Sequence, residues 1–85
     1  MEYIITFSST NQAILSEGLL LESQIDVKVM PLPPKIKAGC GICLRIPDNS
    51  ITQALQVLNG KSEYDGVYKK QSDENGTYFE TVVEL

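Results

Sequence analysis

The sequence predicts an α+β domain: a ferredoxin-like βαββαβ core, an antiparallel sheet with two helices on one face, and an extra C-terminal strand. Three observations carry this expectation. Strand-like runs and helix-like runs follow one another in the order β-α-β-β-α-β-β. Right-handed crossovers then place strands one and three side by side and antiparallel at the centre of the sheet. The pair Asn75-Gly76 lies between the last two strand-like runs, a strong hairpin signal, so strand five should pair with strand four and cover that edge. At 85 residues, the chain reads as one domain, 1–85. It divides into a core over 3–70 and a β-hairpin extension over 71–85.

Each element has its own reason. Residues 2–7, "EYIITF", are β-branched and aromatic and read as the first strand. The cluster "SSTN" supplies helix N-cap residues, and from Gln12 to Ser23 the apolar Ala13, Ile14, Leu20 and Leu21 recur near helical spacing. Gly18 costs such a helix ~1 kcal/mol against alanine, which predicts close packing of that point on the sheet. "IDVKVMPL" alternates as a strand until Pro31, Pro33 and Pro34 stop it, because proline cannot donate to a ladder. In "GICLRIP", Ile42, Leu44 and Ile46 share one face while Cys43 and Arg45 take the other. Asp48 or Asn49 should cap a second helix carrying Ile51, Ala54, Leu55 and Leu58, with Gly60 past its end. "DGVYKKQ" and "TYFETVVEL" are the last two strands.

Composition narrows the function. Eleven acids against seven bases give net charge −4, which disfavours nucleic acid and anionic membrane as partners. The start lacks the basic region and apolar run of a signal peptide, and no apolar run approaches ~18 residues, so a soluble cytoplasmic protein with reduced thiols is expected. Without a secretion signal, Asn75-Gly76-Thr77 reads as a turn and not as a glycosylation acceptor. The absence of histidine removes Cys-His nucleophilic catalysis and histidine metal sites. Gly60-Lys61-Ser62 is no phosphate loop, because Leu55 stands where the first glycine is required.

The informative stretch is "KIKAGCGICLR", 35–45, which holds both cysteines. Between Val27 and Pro47 there are four cations (Lys28, Lys35, Lys37, Arg45) and no acid, +4 against −8 for the remainder. The topology places Cys40 at the head of strand three, beside Ser8, Ser9, Thr10 and the start of helix one. Partial positive charge and free N–H groups there would stabilise a thiolate. A redox pair is disfavoured: three extended residues span ~10 Å at ~3.3 Å each, beyond the ~7 Å Cα limit of a disulfide. The odd spacing also sends the two side chains to opposite faces. A tight turn at Gly39-Cys40-Gly41 would keep that option open. Zinc needs about four ligands, which two thiols could supply only with carboxylates or a second subunit, so no metal and no cofactor is expected. What stands is one working thiol, Cys40, with Cys43 as a resolver or a structural strand residue.

"YIITFSSTNQAILSEGLLLE", "VKVMPLPPKIKAGCGICLRIP" and "GVYKK" together resemble the small-domain family labelled selenium/sulfur (Se/S) carrier-like. The resemblance covers about residues 3–70. Its motifs are Phe7 to Thr10, the Pro31 to Pro33 loop and Cys40-Gly41; together they are fairly specific, each alone weak. It implies a domain similar to those fused to small sulfur-carrier modules in proteins linked to selenium metabolism, with Cys40 as carrier thiol. Cys43 lies where the family has a small or aliphatic residue, and the tail from Gln71 extends past the family's usual end.

The leading expectation is a sulfur or selenium carrier or relay accessory, without turnover of its own. Cys40 would accept a sulfur or selenium atom from a cysteine desulfurase-like donor and pass it to an acceptor protein. Lys35, Lys37, Arg45, Gly41 and the N–H groups after Ser9 would favour the anionic adduct. The alternative is a non-catalytic ferredoxin-like binding or regulatory module. Self-association is expected through an exposed strand-two edge carrying Val27, Val29 and Met30, partly protected by Lys28 and the prolines.

Overall fold

A computed structural model describes residues 1–37 and 39–82. Strand β1 (Glu2–Thr6) leads into helix α1 (Thr10–Glu22), followed by β2 (Lys28–Pro31), β3 (Ile42–Pro47), helix α2 (Ile51–Leu58), β4 (Gly66–Asp73) and β5 (Gly76–Thr81). The five strands form one antiparallel sheet in the order β2-β3-β1-β4-β5. The β4 and β5 strands pair from Tyr68–Thr81 to Asp73–Gly76, and Gly76, at φ +120°, closes the turn. The expected fifth strand ran on to Leu85; residues 83–85 lie outside the described residues.

The pleat sorts the core into two parts. On one face Tyr3, Ile5, Phe7, Leu44, Ile46 and Val67 meet Ala13 and Leu20 of α1 and Ile51, Ala54 and Leu58 of α2. Ile42, Leu44 and Ile46 thus share the helix-covered side. On the other face Ile4 and Cys43 are buried under Ile36, with Leu32, Met30, Tyr68 and Phe79 around them. Among the described residues no helix covers that side. The segment after β2, 32–37, crosses it as a strap, and Lys35 Nζ donates to Thr77 O of β5 at 2.6 Å. A loop confined to one end of the sheet was all that the prolines predicted.

Several local expectations need correction. Helix α1 begins two residues earlier than the periodicity placed it, because Ser9 is the N-cap and its hydroxyl accepts from Gln12 N at 3.3 Å. Its apolar residues are not all inward: Ile14 and Leu21 are 51% and 55% exposed, since 3.6-residue spacing turns them away from Ala13 and Leu20. Among the described residues nothing lies within 4 Å of where a Gly18 side chain would stand, so sheet packing does not explain that glycine. Neither Asp48 nor Asn49 caps α2. They form a single 3-10 turn with Ser50, whose hydroxyl donates to Asn49 Oδ1 at 3.2 Å. Past α2, Gly60 takes φ +77° as expected, and Lys61 N and Ser62 N both donate to Leu58 O. On the β2 edge Val29 is exposed and Met30 half-buried, but Val27 is buried in the helix-side core.

Candidate functional site

The turn 39–41 is fixed by two backbone constraints, one at each glycine. A Cβ at Gly39 would stand 3.0 Å from the carbonyl oxygen of Ser8. Only a residue without a side chain lets the turn lie that close to the chain entering α1. Gly41 adopts φ +75°, a region that L side chains rarely occupy. Its carbonyl accepts from Leu32 N at 2.9 Å, tying the turn to the end of β2. Both glycines flanking Cys40 therefore have a backbone reason.

Cys40 sits between these anchors, half-exposed and packed against the helix-side core. Its Sγ donates to Ile42 O at 3.3 Å, a partner that sequence periodicity gave no means of finding. Cys43 is fully buried on the other face, where its Sγ donates to Pro31 O at 3.7 Å. Burial, and secondarily the Cys40 sulfur, push the Cys43 thiol up to about 11, so at neutral pH it is protonated. Both thiols are free. Three residues apart in sequence, they lie on opposite sides of the sheet.

The expected cationic surround of the thiol is only partly assembled. Of Ser8, Ser9 and Thr10, Ser8 meets the turn through its backbone at Gly39, Ser9 is engaged as the helix cap and Thr10 opens α1. Lys35 is directed to Thr77 on β5. Arg45 shares the Cys43 face, where its guanidinium pairs with Glu2 at 3.1 Å and lies 3.9 Å from Asp26. Both head groups thus engage partners other than the Cys40 thiol, because strand alternation turns Arg45 away and the strap carries Lys35 across the sheet. Lys37 is exposed. Among the described residues no three His, Cys, Asp or Glu side chains converge as a metal site would require. Among the described residues no helix is long and apolar enough to cross a membrane.

The geometry is that of one accessible thiol on a pinned Gly-Cys-Gly turn, beside the start of α1. The model of the family described as "Putative Se/S carrier protein-like" matches residues 2–69, from β1 through the first half of β4. Comparison with the curated proteins and with the solved structures gives no match. The match spans the whole scaffold that holds the turn, and the chain belongs to the Se/S carrier protein-like family.

Proposed function

We propose that this protein carries a sulfur or selenium atom on Cys40, on a ferredoxin-like scaffold whose fourth strand is extended into a hairpin. The observation that carries the reading is the contrast between the thiols: Cys40 is accessible, Cys43 is 0% exposed. A carrier needs one reachable thiol and no neighbour able to discharge it. The strand order β2-β3-β1-β4 with both helices on one face supports the scaffold reading.

Loading balances without a cofactor. The Cys40 thiolate attacks the terminal sulfur of a donor persulfide, R–S–SH, forming Cys40–S–SH. The donor's inner sulfur leaves as a thiolate and takes up the proton that Cys40 gave up. A donor carrying selenium would leave Cys40–S–SeH by the same exchange. The acceptor protein reverses the step. The chain has no histidine, so proton transfer falls to the donor, a cysteine desulfurase-like enzyme, or to water. Two free thiols suit a reducing cytoplasm.

The test is intact mass after incubation with a cysteine desulfurase and L-cysteine, without reductant. One added sulfur is expected on wild type and on Cys43→Ser, and none on Cys40→Ser. An adduct that persists on Cys40→Ser overturns the assignment.

A further inference from the structure

On the outer side of α1, Ile14, Leu15 and Leu21 are 51%, 44% and 55% exposed. Ile14, Gly18 and Leu21, spaced i, i+4 and i+7, share one stripe. Gly18 leaves a notch between the two large side chains, with nothing among the described residues within 4 Å of its missing Cβ. Glycine weakens a helix interior, and no contact among the described residues repays that here. The stripe lies on the layer against which Cys40 packs, and α1 starts beside the Cys40 turn.

Charge decides what covers it. Helix α1, Thr10–Glu22, carries Glu17 and Glu22 and no Lys or Arg. A second copy docked here would set one purely acidic helix against another, which repels. We infer that the outer face of α1 docks the protein that loads Cys40, through an apolar projection seated at Gly18 and a rim of lysine or arginine facing Glu17 and Glu22. The inference rests on the carrier reading above and names the surface that reading lacks.

Two donors separate docking from chemistry: a cysteine desulfurase that loads the wild type, and glutathione persulfide, which needs no docking surface. The double variant Ile14→Gln/Leu21→Gln alters exposed side chains only. It should load from the desulfurase at least about tenfold more slowly, the scale of one interface anchor, and from glutathione persulfide at the wild-type rate. Glu17→Lys/Glu22→Lys should act in the same direction, and Gly18→Gln should do so by filling the notch. Desulfurase rates equal to wild type overturn the docking surface while leaving the carrier reading intact. A loss with both donors also overturns it, since the substitutions then act on the thiol itself. A wild-type dimer in light scattering that the double variant dissolves assigns the stripe to a second copy and overturns it. Absence of any adduct on wild type from either donor removes the carrier reading, and this inference with it.

Discussion

The two faces of the sheet are covered in different ways. Two helices, whose backbone groups are satisfied internally, close one face over Ile5, Phe7, Leu44 and Ile46. A strap with two prolines closes the other over Ile4 and Cys43, chiefly through Ile36. The helix side is a layered core; the strap side is a thin sheet of contacts that ends where the strap ends. Each cysteine takes its chemistry from its face. Cys40 lies in the turn at the margin of the helix layer and stays reachable, whereas Cys43 is sealed beneath the strap. Three residues, from the turn into β3, therefore suffice to place the two thiols on opposite faces.

The largest expected effect tests whether the helix side dominates stability. Phe7→Ala should cost about 3–5 kcal/mol, a large share of the ~5–15 kcal/mol a domain of this kind has in total. Ile36→Ala should cost about 2 kcal/mol, the low end for such a truncation, because the strap can settle onto Ile4 and Cys43. Urea unfolding followed by circular dichroism measures both. Equal costs would mean that the strap is a full core layer, and the contrast between faces would fail.

The next effect belongs to Cys43. Its folded value of about 11 lies above the ordinary thiol value of 9.0, so the unfolded thiol loses its proton first as pH rises. Stability should therefore fall between pH 9 and about 11 and level off above. The loss should be at most about 3 kcal/mol, at 1.36 kcal/mol per pH unit. The measurement is a difference between variants: Cys43→Ala should lose this component of the slope and Cys40→Ala should retain it. If the two variants track one another, Cys43 is not sealed. Alkylation at neutral pH reads the same contrast, with Cys40 labelled in the native state and Cys43 only on unfolding.

The parts legible in the sequence were those set by local pattern. Alternation in 41–47 put Cys43 and Arg45 opposite Leu44, and Asn75-Gly76 marked the turn between β4 and β5; a tight turn at Gly39-Cys40-Gly41 stood in the sequence only as an option. What escaped depended on partners far along the chain. Lys35 meets Thr77 at a separation of 42 residues and Arg45 meets Glu2 at 43, and no periodicity relates such pairs. A cationic cluster in sequence thus became two cations occupied elsewhere. The strap escaped because a proline run says that a strand stops, not where the chain goes next. Ile14 and Leu21 escaped for the opposite reason: their hydrophobicity suggested core, and only the position of α1 on the sheet showed which side faces out.

The smallest effect concerns the end of the strap-side face near the chain's start, which is closed by charge and not by apolar contact. Glu2 accepts from Arg45 at 3.1 Å and from Lys70 at 3.2 Å. Burial alone would raise its carboxyl, but the bonds from Lys70 and Arg45 outweigh that and bring it below 4.5. A lowered folded value means that the contribution is full above the unfolded carboxyl range and is lost as pH falls through the folded one. Glu2→Gln should cost at most about 1 kcal/mol at neutral pH, since such half-exposed pairs are screened by water. It should cost nothing in acid below the folded carboxyl's own range, and less in high salt. A loss near that of Ile36→Ala, unchanged by salt, would mean that ion pairs and not the strap hold this face. The reachable and sealed thiols would then owe their difference to electrostatics at the far end of the sheet, not to the chain that crosses it.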